Sequence, residues 1–175
     1  MIKRENKRTG FTLIELLIVI VIIAILAVGA FVALDPATRF KDSRDSTRWT
    51  DVTAVLDAVK VHQVDNEGGY LTAITDLSAD GSNYMIGTDS GGTCADACAD
   101  AALSTAGDVV GCVDLTGLAD EGYLAAVPQA PSVPGGTTRT TGETGYYLNS
   151  AVNGSIKIGS CDSEGSGVTD ISVLR

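Results

Sequence analysis

The sequence predicts an α+β fold, in which the second half of one long N-terminal helix packs on a small head with an antiparallel β-sheet. Three observations predict this fold. Residues 11–34 form a run of about 24 almost entirely apolar residues. Residues 35–67 repeat apolar side chains at helical spacing. Residues 68–175 are rich in Gly, Ser and Thr with short apolar pieces between them, as in strands joined by turns, and suffice for one small domain.

A short basic leader, residues 1–10, precedes the apolar run. It holds one carboxylate and four cations, Lys3, Arg4, Lys7 and Arg8. The positive-inside rule therefore places the N-terminus in the cytoplasm and exports everything that follows the apolar run.

The apolar run, residues 11–34, is long enough to cross a bilayer as a helix. It extends over roughly 36 Å, against a hydrocarbon core of about 30 Å. Glu15 is the one charged residue in it. A charge in a membrane segment costs a few kcal/mol even on lenient insertion scales, so Glu15 is a candidate functional residue whose partner has to be found.

Three interpretations of this segment differ in where the chain is cut. A secretory signal would be cut after the apolar run, at small residues such as those of 27–30, and a signal anchor would stay uncut. Both leave Glu15 unexplained. A cut between Gly10 and Phe11 frees an α-amine that is mostly cationic at neutral pH. This amine can pair with Glu15 of its own chain or of a neighbouring molecule, and the second pairing would fix the register of two apolar helices.

The segment Gly10–Leu16 resembles the processing site of type IV prepilins and the related pseudopilins. It consists of Gly-Phe-Thr-Leu-Ile-Glu-Leu and leads into an uninterrupted apolar helix. The resemblance implies that a membrane aspartyl peptidase, the prepilin peptidase, cuts after Gly10 and N-methylates Phe11. It also implies that Glu15 recruits the subunit into a filament made of copies of this chain. A platform protein and a cytoplasmic ATPase would drive that assembly.

The second half of the helix, residues 35–67, is amphipathic. Asp35-Pro36 is typical of an N-cap followed by proline at the first helical position, or of a kink in a continuous helix. Gly68-Gly69 ends the pattern. The predicted buried face carries Phe40, Trp49, Val52, Val55, Leu56 and Val59. The predicted solvated, salt-bridged face mixes carboxylates and cations, among them Arg44, Asp45 and Arg48.

The head, residues 68–175, is predicted to contain five strands and one short helix or turn. The strands are expected at 70–71, 84–86, 108–110, 146–148 and 155–158, and the helix or turn at 114–126. The series Gly122-Tyr123-Leu124, Val127-Pro128, Pro131 and Tyr146-Tyr147 resembles the trace of pseudopilins and related bacterial pilins. Ala130 departs from the aspartate that is common before the last proline of that trace.

Four cysteines, Cys94, Cys98, Cys112 and Cys161, all lie in the exported part of the chain. An even number of cysteines outside the cytoplasm predicts two disulfides, with three possible connectivities. A zinc ion held by the four thiolates is the alternative.

Charge and composition exclude several function classes. The chain carries −10, and loss of a leader that carries +3 leaves about −13. Beyond residue 60, three cations oppose fifteen carboxylates, and such a surface repels phosphate backbones, so we expect no nucleic acid on the head. The single histidine, His62, is expected to be a packing or surface residue. With no catalytic constellation in the sequence, we expect a protein that is not an enzyme.

One loop near the C-terminus, residues 161–171, is rich in carboxylates and glycines. Asp162, Glu164 and Asp170 are candidate calcium ligands, because calcium prefers oxygen ligands on flexible loops. The loop resembles the acidic C-terminal loop that binds calcium in major pseudopilins. Acidic loops are also found simply solvated, and we expect no other cofactor.

Asn153-Gly154-Ser155 is formally a glycosylation sequon.

Together these features predict a structural subunit of a type IV pilus or a pilus-like filament. The subunit would first span the bacterial inner membrane once and would then enter a cell-surface or periplasmic filament. One alternative is a major pseudopilin of type II secretion, which the acidic loop and the Gly122-Tyr123-Leu124 series favour. The other is a minor pilin for adhesion or DNA uptake. The cysteines and Ala130 favour a surface pilus.

Overall fold

A computed structural model describes residues 10–88, 109–132, 136, 138–165 and 170–175. The chain divides into two compact units, residues 1–39 and 40–175. Helix α1, Leu13–Leu34, lies in the first unit, and helix α2, Pro36–Asp65, begins in the first unit and continues in the second. The other elements all lie in the second unit: α3 Thr72–Thr75, β1 Asn83–Ile86, β2 Val109–Val113, α4 Thr116–Asp120, β3 Tyr146–Ser150, β4 Ile156–Ser160 and β5 Ser172–Leu174.

Helix α1 buries none of its residues. Its large apolar side chains are between 46 % and 82 % exposed, on every face of the helix. Among the described residues, one helical stretch is long and apolar enough to cross a membrane, and α1 forms its apolar part. A helix that is apolar all round needs an apolar environment, which a bilayer or other apolar helices provide.

The boundaries of α2 follow the local sequence. Asp35 takes a left-handed conformation (φ 35°) after α1, and its carboxylate accepts a hydrogen bond from the hydroxyl of Thr38 at 2.6 Å. Pro36 is the first residue of α2, as predicted for an N-cap followed by proline. At the other end, the N–H of Gly68 donates to the carbonyl of Gln63 at 2.8 Å. Glu67 (φ 55°) has the left-handed conformation that this helix stop requires, and Gly68 also has a positive φ.

The buried face of α2 differs from the predicted one at its edges. Val52, Val55, Leu56 and Val59 are at most 1 % exposed and lie in the core, as predicted. Phe40 and Trp49 are 66 % and 41 % exposed, so their predicted burial is wrong. Successive residues of a helix point about 100° apart. The buried face continues from the valines through Arg48 and Asp45, which turns the neighbouring Trp49 toward solvent.

The five strands form one mixed sheet in the order β2-β1-β3-β4-β5. The β1–β3, β3–β4 and β4–β5 pairs are antiparallel, whereas β1 and β2 are parallel. The predicted fully antiparallel sheet is therefore wrong at this pair. Parallel neighbours need a crossover connection of a dozen or more residues, and the chain from β1 to β2 is long enough to provide one.

Four of the five predicted strands are confirmed with extended or shifted ends, as is a short helix inside 114–126. Tyr70-Leu71 is not a strand. Its backbone leads into α3, and the Tyr70 hydroxyl accepts a hydrogen bond from Lys60 on α2 at 2.9 Å. Strand β5, which pairs with β4, was not predicted.

The core of the second unit lies between α2 and the sheet. Tyr146 on β3 is 1 % exposed, and its hydroxyl donates to Asp51 of α2 at 2.6 Å. The neighbouring residue of β3, Tyr147, lies opposite Gly159 of β4, and its ring covers that glycine. A Cβ at Gly159 would collide with that ring, so a larger residue at this position requires the Tyr147 side chain to shift.

Candidate functional site

The start of α1 is fixed by a capping box between Thr12 and Glu15. Thr12 is the N-cap, with an extended backbone. Its N–H and its hydroxyl both donate to Oε2 of Glu15 at 2.8 Å, and the N–H of Glu15 points back to the Thr12 hydroxyl at 3.3 Å. This arrangement satisfies backbone donors that a helix N-terminus otherwise leaves unpaired.

The capping box gives Glu15 partners in its own chain, and both groups that donate to its side chain are electrically neutral. Sequence analysis assigned Glu15 a role only after the chain is cut and missed this one. The Thr-x-x-Glu spacing before an apolar run was the signal that predicts it. Both bonds go to Oε2, and no described residue donates to Oε1. One oxygen therefore caps the helix, while the other is open to a further partner.

The peptide bond between Gly10 and Phe11 lies ahead of α1 in an accessible segment. Gly10 is exposed, and among the described residues other than its chain neighbours no atom lies within 4 Å of the position that a Cβ on it would occupy. Phe11 is 87 % exposed. A cut at this bond would place the new α-amine one residue before the Thr12 cap.

Residues 6–31 match the family model described as the prokaryotic N-terminal methylation motif. The chain carries the type IV pilin and pseudopilin signature. This pilin signature contains Gly10, Phe11 and Glu15 and most of α1, and it implies processing by a prepilin peptidase and filament assembly in general. The family that it marks is structural rather than enzymatic. No curated protein and no solved structure matches the chain.

The three predicted calcium ligands each contact a cation of the pilin-like chain. Arg139 binds both carboxylate oxygens of Asp162, at 2.7 and 2.8 Å. Lys157 lies 3.0 Å from Asp170. Glu164 is held by two arginines of α2, as described below. In the described part of the chain, no three His, Cys, Asp or Glu side chains are placed to hold a metal ion together.

Glu164 is the centre of a buried charge cluster. Arg44 donates to both of its carboxylate oxygens, at 2.6 and 2.5 Å, and Arg48 donates to it at 3.1 Å. Arg48 is fully buried and also donates to Asp45 at 2.6 Å and to the carbonyl of Pro131 at 2.9 Å. These bonds join two successive turns of α2 to the C-terminal loop.

Ion pairing sets the ionisation of the loop carboxylates. The hydrogen bond from Arg44 lowers the pKa of Glu164 below its ordinary value, although partial burial opposes this. Burial raises the pKa of Asp170, but hydrogen bonds from Lys157 and Ser172 outweigh burial and leave that pKa lowered. Both groups are therefore anions at neutral pH.

Sequence analysis placed Arg48 and Asp45 on a solvated surface, and for these two residues it was wrong. Both are buried, at 0 % and 4 % exposure. Each charge has its counter-ion inside the cluster, which is how long charged side chains come to be buried. Arg48 and Asp45 precede Val52 by four and seven residues, and this helical spacing was the available signal, because it continues the apolar face toward the N-terminus of α2.

Two of the four cysteines lie in the described part of the chain. Cys112 is in β2 and Cys161 directly follows β4, and neither is a free thiol. Cys94 and Cys98 lie outside the described residues. Three inter-strand steps separate β2 from β4, which places Cys112 and Cys161 roughly 14 Å apart across the sheet. A disulfide needs Cα atoms within about 7 Å, which excludes a bond between these two.

The remaining residues singled out in the sequence occupy structural positions. His62 is 5 % exposed, with Nε2 at 3.2 Å from Glu121 and its ring edge-on to Tyr123. This is the packing role expected of it. Asn153 lies at an exposed turn between β3 and β4, where its side-chain oxygen accepts hydrogen bonds from Ser155.

Proposed function

We propose that this chain is the precursor of a type IV pilus subunit, anchored in the bacterial inner membrane by α1 and later polymerised through it. One observation carries the proposal. Glu15 is the single charge of an apolar helix that is exposed on every face, and it follows closely after an accessible Gly10–Phe11 bond. The pilin signature over residues 6–31 supports the same function.

The exposed surface of α1 suits an exchange of environment. In the membrane, lipid covers its apolar side chains, and in a filament the same helices of neighbouring copies would cover them. Lipid tails are about as apolar as leucine, so this exchange costs little hydrophobic free energy. Two such apolar helices can pack side by side at many axial offsets with similar energy. A polar group is therefore needed to fix their register.

Cleavage would supply a cation for Glu15, which contacts none among the described residues. Before the cut, Glu15 interacts with neutral donors of Thr12 and with the partial positive charge of the helix N-terminus. After the cut, the α-amine of Phe11 is mostly charged at neutral pH. Oε1 of Glu15 is open to accept it. A pair between neighbouring copies would neutralise both groups in an apolar filament core and would fix the axial offset of the two helices.

The proposed partners follow from the pilin signature and the resemblance together. A prepilin peptidase would cut after Gly10 and methylate Phe11, and a platform protein and a cytoplasmic ATPase would extract the subunit from the inner membrane. The product would be a filament of copies of this chain on the cell surface.

A surface pilus is a better proposal than a type II secretion pseudopilus. Two features favoured a pseudopilin: the acidic C-terminal loop, which resembles a calcium site, and the Gly122-Tyr123-Leu124 series. Asp162, Glu164 and Asp170 contact Arg139, Arg44 and Lys157. These contacts weaken the argument from the loop and leave the argument from the series as it was. Loss of surface filaments from a deletion strain in electron microscopy is expected, and unchanged filaments would contradict this role.

Two disulfides in the head are part of the proposal. Cys112 and Cys161 are not free and are too far apart to pair with each other. Each would therefore bond to one of Cys94 and Cys98, which leaves two of the three connectivities. Disulfides typically contribute about 2–4 kcal/mol each to stability, which a small glycine-rich head needs.

Processing is tested by the N-terminus of the purified subunit. We expect it to begin with N-methylated Phe11 in sequencing or mass spectrometry. Gly10→Asp should leave an unprocessed chain in the membrane that retains residues 1–10. A mature subunit that begins at Met1, or a Gly10→Asp chain of normal mature size, would refute the cleavage site.

The charge of Glu15 is tested separately from its capping role. Glutamine at this position can still complete a capping box but carries no charge, whereas valine removes both functions. We expect Glu15→Gln and Glu15→Val to be processed normally and both to be absent from sheared filaments. Filaments of normal abundance from Glu15→Gln would show that capping is sufficient, and the proposed register pair would be wrong.

A further inference from the structure

The resemblance to major pseudopilins implies calcium at the C-terminal loop, and the residues present do not fit a calcium site. We infer that this loop is held by guanidinium groups, so that the head folds without a metal ion. The arginine clamp consists of Arg44, Arg48 and Arg139 with the two carboxylates that they bind, Asp162 and Glu164.

Asp162 is occupied by Arg139. The guanidinium donates to both carboxylate oxygens from a position that is itself almost completely buried, with the two side chains 4 % and 13 % exposed. Calcium requires six to eight oxygen ligands at about 2.3–2.6 Å. A fixed positive charge on both oxygens of Asp162 repels a divalent cation and uses the lone pairs that such a cation would need.

Glu164 is occupied by two arginines of α2. Arg44 forms a two-pronged contact with it, and Arg48 reaches the same carboxylate from one helical turn further on. Arg48 cannot move aside easily, because it is fully buried and its other nitrogen donates to the carbonyl of Pro131 at 2.9 Å. The side chain of Glu164 is only 8 % exposed, so little of it faces solvent.

Where the loop meets α2, its backbone presents N–H groups, which do not bind cations. The N–H groups of Glu164 and Gly165 donate to Oδ2 of Asp45 at 3.0 and 2.6 Å. Calcium loops turn backbone carbonyls toward the metal. Here the loop presents N–H donors to a carboxylate instead, and that carboxylate belongs to the helix.

Asp170, the third predicted ligand, is also paired. It accepts hydrogen bonds from Lys157 at 3.0 Å, Ser172 at 2.9 Å and the hydroxyl of Tyr147 at 3.2 Å. The described carboxylates of the loop are thus all neutralised by cations of the chain itself. The arginine clamp joins the loop to α2 in the way that a bound metal would join carboxylates to one another.

Thermal unfolding of the full-length precursor in detergent micelles tests the inference, because it does not require filament assembly. We expect the midpoint with millimolar calcium chloride to equal the midpoint with excess EGTA. A site filled to about a hundred times its dissociation constant would raise the midpoint by about 5–10 °C. A rise of that size, or stoichiometric heat in a calorimetric titration with calcium chloride alone, would overturn the inference.

Substitutions test the positive half of the inference. We expect Glu164→Gln and Arg44→Gln to lower the midpoint by the same amount in calcium and in EGTA. Glu143→Gln is the matched control, because Glu143 is only partly buried and makes no ion pair among the described residues. If Glu164→Gln melts like Glu143→Gln, the arginine clamp does not hold the loop. Since all measurements use the unassembled chain, either result leaves the proposed filament role untouched.

Discussion

Replacing Arg48 by methionine tests whether the buried charge cluster stabilises the head. Methionine keeps the apolar stem of the side chain but removes the hydrogen bonds to Asp45, Glu164 and the carbonyl of Pro131. Glu164 retains Arg44, whereas Asp45 loses its one ion-pair partner among the described residues. Asp45 would then be a carboxylate, 4 % exposed, with only backbone N–H groups to stabilise it.

The expected loss is about 2 kcal/mol and at most about 4 kcal/mol. Removing one partner of a buried ion pair costs about 3–5 kcal/mol. Part of this cost is offset because Nε of Arg48 is buried without a hydrogen-bond partner in the described part of the chain, a penalty of about 1–3 kcal/mol that the substitution removes. For a chain of 175 residues, a loss of about 2 kcal/mol should lower the thermal midpoint by roughly 4–8 °C.

The measurement is thermal unfolding of the full-length protein in detergent, followed by near-ultraviolet circular dichroism of the head. Arg39→Met is the matched control, because Arg39 is an exposed arginine of the same helix with no ion pair among the described residues. Exposed substitutions of this kind stay within about 0.5 kcal/mol. If Arg48→Met and Arg39→Met unfold at the same temperature, the reasoning about the buried cluster is refuted.

Three further outcomes are expected for the head. Gly159→Ala should destabilise it by about 1–3 kcal/mol, because the added Cβ meets the Tyr147 ring, and should cost clearly less in a Tyr147→Ala background; equal costs would contradict the contact. The folded-state pKa of Glu164 lies below its ordinary 4.5, so its stabilisation is complete above pH 4.5 and is lost as the pH falls through the folded value. The difference in midpoint between wild type and Glu164→Gln should therefore be constant from pH 7 to 5 and shrink below pH 4.5, and a difference that disappears near neutral pH would exclude this ion pair as its source. Thiol labelling of the unreduced, unfolded protein should find no reactive cysteine, and two labelled thiols would exclude the two-disulfide proposal.

Much of the helical part could be predicted because its signals are local. The apolar run predicted α1, Pro36 predicted the start of α2, and Gly68 predicted its end. Val52 and Val59 were correctly placed in the core because apolar residues at helical spacing have few other places to go. The capping box of Thr12 and Glu15 was equally local and could have been found from its spacing.

The arrangement of the head depends on contacts between distant residues, which the sequence pattern does not contain. The short apolar pieces of β1 and β2 indicate strands but say nothing of their relative direction, so the parallel pair was missed. Arg48 lies more than a hundred residues from Glu164, its partner in the cluster. A charged residue is expected at the surface until such a partner is known. The acidic loop was therefore interpreted as a candidate calcium site or a solvated loop, although Arg44 and Arg48 of α2 are counter-ions of its Glu164.

One edge strand of the sheet would matter in the proposed filament, where many copies of the head would lie close together. β5 spans only Ser172–Leu174 and, among the described strands, pairs with β4 alone. A long unpaired edge recruits strands from other molecules, and a very short one offers them few backbone groups to bind. At this edge, crowded heads would therefore have little tendency to exchange strands and fuse side by side. Each copy would remain a separate building block of the proposed polymer.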